Sequence, residues 1–293
     1  MPGTKEIKER IKSVSDTRKI TNAMYLISST KMRKAKSELD KTRPYFDALS
    51  TEIKRVFRTA ENIESRFFYP PKGEPELNGT YGVLVVTADK GLAGSYNMNA
   101  IRAAEERLKK HPDTKLFVVG EYGRRYFESH GIPIEKSFLY TAQNPTMRRA
   151  REICVHLLDM YYKDELQKIY VVYTDMKNSL ETEAVTTRLL PLHRSDFKSP
   201  AHEETIRQPF EFVPSMEAVL DNIVPGYISG FIYSALVASF CSEQNARMTA
   251  MDSANRNAEK ILDDLRVQYN RVRQAGITQE ITEVSAGARA VKK

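Results

Sequence analysis

The residues best placed to do chemistry sit in one loop. Tyr81–Thr87 (YGVLVVT) is an uninterrupted apolar run, suited to a strand buried on both faces. ADKGLAGSYN follows it, and then a helical pattern runs to Lys110. Glycines between a strand and a helix can cradle a phosphate, because the first N–H groups of the helix point at it. Asp89 and Lys90 share that loop. The rest of a nucleotide site is missing. Neither GxGxxG nor GxxxxGK[ST] occurs, so no lysine and hydroxyl are placed to hold a phosphate and its magnesium. No Ser/His/Asp or Cys/His set is placed by spacing. His111, His130, His156, His193 and His202 form no close-spaced ligand set with cysteine or carboxylate. Cys154 and Cys241 lie far apart on helical patterns and read as small buried hydrophobes. The loop therefore reads as structural or as a partner contact, with a nucleotide site as the alternative. No catalytic centre, metal or cofactor is expected.

Composition bounds what the rest of the chain can be. It has 293 residues, 41% of them hydrophobic, enough for one or two domains with a real core. No run of about 18 apolar residues is present, so no membrane span is expected. Met1 is followed at once by Thr4, Lys5, Glu6 and a helical pattern. There is no apolar signal segment or Arg/Ser-rich presequence, so a cytoplasmic chain is expected. Of the net charge of +7, residues 1–60 supply 15 − 7 = +8, leaving −1 for the remainder. A basic helix of this kind suits nucleic acid, an anionic membrane surface or an acidic protein partner.

The two ends of the chain are long helical patterns. Residues 227–285 contain no proline, and as one helix they would span roughly 90 Å. Met251, Ala254, Ala258, Leu262, Leu265, Tyr269 and Val272 step by three and four, a heptad-like seam that asks for a partner helix. The N-terminal end supplies one. Ile7, Ile11 and Val14 begin a seam, Met32, Ala35 and Leu39 keep its phase, and Phe46, Leu49, Ile53 and Val56 resume it after Pro44, where a kink is expected. Over residues 17–31 the same phase lands on Arg18, Thr21 and Ser28, while Ile20, Met24 and Ile27 form a second stripe. The apolar face is expected to rotate there, either as a stutter or because the pair is also gripped from outside. Neither helix is stable through propensity alone, so the two are expected to pair antiparallel.

Between them, residues 70–80 read as a Pro/Gly-rich linker. Strands are expected at 81–87, 115–120, 134–140 and 168–174, with helices ahead of residue 110 and at 121–130 and 145–162. Alternating strand and helix means a mostly parallel sheet covered on both faces. Residues 183–192 and 210–213 look like extended segments leading away from it, and 194–209 are irregular. A helix starts at 215–223, and Pro225–Gly226 is expected to interrupt it before the long one begins.

Three stretches together carry a resemblance: IKERIKSVSDTRKITNAMYLISSTKMRKA (7–35), TADKGLAGSYN (87–97) and the run from SEQNARMTAMDSANRNAEK to TEVSAGA (242–288). The chain resembles the gamma-subunit family of F-type ATP synthases over nearly its whole length, with KNSLETEAVTTRLLPL (177–192) adding to the match. The resemblance implies a long antiparallel coiled coil of the N- and C-terminal helices plus a central Rossmann-like α/β domain. The divisions would fall at 1–69, 70–213 and 214–293. It also implies a non-catalytic rotor with no cofactor. Its partners would be an alternating ring of α and β subunits, an epsilon subunit and a membrane c-ring, with no nucleic acid. Met24 matches the family's coupling methionine, and Arg247, Gln274, Thr278 and Glu280 match polar coupling positions. Lys31, Arg33 and Lys34 are implied contacts to acidic ring residues. Small residues near 286–288 suit a close bearing. Ala93 and Ser95 depart from the Cys and Gly of many members. The chloroplast-type insertion with its cysteine pair is absent. A peripheral location on the cytoplasmic side of a bacterial plasma membrane is expected.

A basic coiled coil that binds nucleic acid is the reading from another class. It predicts aromatic residues interleaved with the basic ones, and residues 1–40 contain only Tyr25.

Overall fold

Strand β1 (Tyr81–Val86) is buried at every position, and its side chains alternate between two cores. Tyr81, Val83 and Val85 join one cluster, and Leu84 and Val86 the other. That is the period-two geometry of a strand covered on both faces. The computed structural model describes residues 3–59, 65–70, 78–139, 142–176, 182–197 and 212–291. Residues 71–77 of the expected 70–80 linker, residues 198–209 of the irregular stretch and residues 210–211 of the expected extended segment lie outside these. Around β1 stand β2 (Thr114–Val119), β3 (Lys136–Phe138), β4 (Lys168–Met176) and β5 (Thr182–Leu190), in the order β3-β2-β1-β4-β5. The first four are parallel, with Val83 opposite Leu116 and Tyr170.

One expectation is corrected at the sheet edge. Residues 182–190 do not lead away from the sheet; β5 pairs antiparallel with β4, Thr186 opposite Val172. Most of its positions are half-buried and only Leu189 and Leu190 are fully buried, as suits an edge strand. The third strand is also shorter than the expected 134–140.

Helix α2 (Tyr96–Lys110) covers one face through Ala100, Ile101 and Ala104, with Phe127 of α3 (Glu121–Ser129) beside it. Helix α4 (Met147–Tyr162) covers the other through Ile153, Cys154 and Leu157, together with parts of α1 (Thr4–Thr59) and α5 (Met216–Val291). Both long helices continue through a proline, Pro44 in α1 and Pro225 in α5. The expected break at Pro225–Gly226 is therefore absent. Val224 and Ile228 are buried on either side of it, and that packing outweighs the lost backbone donor. One 18-residue stretch of α5 has the length and apolarity of a membrane span, although no unbroken run of 18 apolar residues occurs in the sequence. Most of that stretch, 61%, is buried in the protein's own core.

The chain forms two compact units, residues 30–246 and residues 1–29 with 247–293. In the first, α1 and α5 run antiparallel: Gly226 faces Leu49, and Gly230 faces Phe46. A Cβ on Gly230 would lie 2.0 Å from the Phe46 ring, so the close approach of the two helices there requires glycine. In the second unit Arg18 pairs with Glu259 at 3.4 Å and Thr21 bonds Asn255, again an antiparallel arrangement. Its seam is Ile7, Met251, Ala258, Leu262 and Leu265, all buried.

Candidate functional site

The loop after β1 is held by its own side chains. Thr87 Oγ1 donates to the Val119 carbonyl at 2.8 Å and accepts from the Gly123 N–H at 3.0 Å. Asn97 Oδ1 accepts from the Ala88 N–H at 2.9 Å. Asp89 Oδ1 accepts from the Glu121 N–H at 2.9 Å, so this carboxylate caps the start of α3. Its other oxygen is buried without a hydrogen-bond partner. Gly120, with φ +98°, makes the turn into α3, and a Cβ there would lie 2.3 Å from the Thr87 carbonyl oxygen. The nearby cations are engaged locally. Arg124 and Arg125 both bond Glu121, Arg124 also bonds Glu128, and the two arginines hold the Glu121 carboxyl down to about 2. The loop is built as structure, as one of the two sequence readings has it.

The crevice beside it is filled from within. In a doubly wound sheet, ligands bind beyond the carboxyl ends of the strands where the winding reverses, here between β1 and β4. Ala246 of α5 packs against Ala88, Ala93 and Tyr96 at that point. Ser239 and Ser242 of α5 bond the main chain of Thr174 at the end of β4. Three helix residues thus stand where a nucleotide would lie. Sequence reasoning missed this role for the two serines, which sit inside an apolar helical pattern.

The thiols are inert in character. Cys154 and Cys241 are free and buried, and burial pushes both up to about 11.

The candidate coupling residues fall on both units. In the terminal unit Met24 is half-buried, while Gln274, Thr278 and Glu280 are exposed and Arg247 is buried. Thr278 Oγ1 donates to the Gln274 carbonyl at 2.9 Å, so these two share one helix face. Lys31, Arg33 and Lys34 belong to the α/β unit and are all exposed. The second apolar stripe is not a rotated seam. Ser28 stays buried at 2% and keeps the heptad phase, whereas Ile20 and Ile27 are 62% and 55% exposed, with Leu26 at 58%. Of the two explanations considered for residues 17–31, a grip from outside needs that exposed stripe and a simple stutter does not. From Arg273 to Gly287 every side chain of α5 is exposed, including Ile277, Ile281 and Val284.

Comparison with known proteins gives a consistent result. A family model described as ATP synthase matches residues 3–291. The ATP synthase gamma chain of Caldanaerobacter subterraneus subsp. tengcongensis is 45% identical, over 98% of this chain and 99% of that one. Among solved structures, the central stalk and c-ring of the Tetrahymena thermophila mitochondrial ATP synthase contains a chain with TM-score 0.61. The match has 23% identity and covers 80% of this chain and 99% of that chain. The rotor of the Euglena gracilis mitochondrial ATP synthase gives TM-score 0.63 at 13% identity, over 94% and 98%. At those identities the solved structures speak to the fold.

Proposed function

This chain belongs to the ATP synthase gamma-chain family, and we propose that it is the rotating central shaft of an F-type ATP synthase. It performs no bond chemistry. An ion-driven c-ring turns the α/β unit, with an epsilon subunit beside it, and the paired helices carry the rotation into a ring of α and β subunits, where the β sites bind nucleotide. The paired ends of α1 and α5 form the coiled coil, and the sheet with α2, α3 and α4 the centre of the α/β domain. Met24, Arg247, Gln274, Thr278 and Glu280 make the coupling contacts, and Lys31, Arg33 and Lys34 meet acidic residues of the ring. The complex is membrane-associated, and this subunit sits peripherally on the cytoplasmic face of a plasma membrane.

The exposed apolar side chains of the terminal unit carry this reading. Ile20, Leu26 and Ile27 lie on α1 where it pairs with α5, and Ile277, Ile281 and Val284 lie on α5 beyond Arg273, where every side chain is exposed. Such a surface suits a surrounding protein sleeve, not solvent. The test is to tag the chain, solubilise membranes gently and assay what co-purifies. Large α and β partners with magnesium-dependent ATP hydrolysis, absent from the isolated chain, are expected. A chain that comes down alone and binds DNA with a steep salt dependence would return the nucleic-acid reading.

A further inference from the structure

Strand β4 outruns β1. The last paired residues are Val85 and Val172, yet β4 continues to Met176. Main-chain N–H and C=O groups of alternate residues point to the same side of a strand. Thr174, two residues past Val172, therefore presents both groups where a longer β1 would have met them. Orphaned there, two buried backbone groups would be costly. Helix α5 takes the place of the missing strand. Ser239 Oγ accepts from the Thr174 N–H at 3.0 Å, and the Ser242 hydroxyl donates to the Thr174 carbonyl at 3.2 Å. All three residues are buried at 3% exposure or less. Ser239 and Ser242 are three apart, so both hydroxyls leave one face of the helix.

These bonds add direction to the neighbouring packing. Ala235, Leu236 and Val237 are consecutive, and all are buried. The apolar surface therefore wraps around the helix, so the gain from burying it changes little with rotation about its axis, and shape contacts such as Gly230 against Phe46 hold the azimuth on the α1 side only. A hydrogen bond is directional. Two of them to a single residue fix both the rotation and the height of α5 against the sheet.

We propose that Ser239 and Ser242 lock the azimuth of α5 on the α/β unit, and that this lock transmits torque from the sheet to the helix. The proposal rests on the rotor reading above. A shaft that slips about its axis at its root wastes rotation, even when its contacts elsewhere are intact.

The test uses the complete ATP synthase reconstituted in lipid vesicles with this chain as wild type, as Ser239→Ala/Ser242→Ala, and as Thr174→Val. The last variant removes a hydroxyl that is buried without a partner and leaves both main-chain bonds in place. ATP hydrolysis and ATP-driven ion uptake are measured on the same vesicles, with amide hydrogen exchange at Thr174. In the double variant the Thr174 amide is expected to exchange about tenfold faster, with hydrolysis within about twofold of wild type and ions moved per ATP down about threefold. Thr174→Val is expected to keep the wild-type ratio. An unchanged ratio in the double variant despite faster exchange overturns the proposal, as does an equal loss in Thr174→Val. If the double variant does not assemble, Ser242→Ala alone is read in the same way. A wild-type chain that supports no coupled uptake overturns the rotor reading itself, independently of the variants.

Discussion

Single residues here are fixed by what stands opposite them, and two give sharp expectations. Gly120 combines a left-handed backbone with contact to the Thr87 carbonyl. Gly120→Ala adds strain of about 1–3 kcal/mol and a backbone clash besides, so the urea midpoint of the α/β unit should fall markedly. An unchanged midpoint would mean that the turn can re-form. His156 lies against Phe117 and Phe138 with Nε2 buried and unpartnered. Burial lowers its affinity for a proton, and Lys136 adds repulsion, against weaker support from Asp159, Glu135 and Glu165. The folded state thus prefers neutral histidine, while the unfolded chain takes up a proton at the ordinary value of 6.5. Its contribution is complete above that pH and is lost as pH falls below it. His156→Leu should flatten the decline in stability between neutral and mildly acidic pH; a decline as steep as in the wild type would place its cause elsewhere. Neither role was legible in the sequence. A histidine on a helix and a glycine before one look ordinary until the strand opposite is known. Asp89 is similar: its loop was visible, but the amide it caps belongs to a residue 32 positions away.

At the level of elements, the sequence was most legible where the pattern is long and the partner lies in the same chain. The seam through Met251, Ala258, Leu262 and Leu265 was evident from spacing, and all four are buried. Leu265→Ala should therefore cost about 2–4 kcal/mol in urea unfolding followed by helical signal. Ile281→Ala, at a residue 62% exposed, should stay within about 0.5 kcal/mol. Equal effects would refute the seam. The misread elements were those whose state is decided from a distance. Pro225–Gly226 reads locally as a stop, but burial of the flanking turns carries α5 through it. Strand β5 has half-exposed positions and no clear alternation, so only its antiparallel pairing along β4 from Ile169 to Met176 reveals its place at the edge. The stripe of Ile20, Met24 and Ile27 reads in the sequence as a rotating seam, whereas Ile20 and Ile27 are exposed in the fold. Ser28 keeps the seam in phase because a small residue can sit between closely packed helices.

For the whole molecule, the family relationship converts exposed surface into expected function. Met24→Lys would place a charge beside an apolar stripe in an already basic segment. In reconstituted vesicles ATP hydrolysis should persist within about twofold while ATP-driven ion uptake falls about tenfold or more, a coupling loss of about 1.4 kcal/mol or above. Normal uptake would remove Met24 from the coupling surface. Another consequence concerns the order in which the chain is made. Among the described residues the last strand ends at Leu190, yet part of the cover on the sheet's second face and the packing at its carboxyl end come from residues between Leu220 and Ala246. At ~5–20 residues per second, the ribosome delivers that closing helix roughly 3–10 s after the sheet's final strand. Throughout that interval the nascent sheet lacks the share of its apolar cover that α4 and α1 leave to α5, so synthesis, not refolding from the complete chain, is when this subunit is most exposed to aggregation.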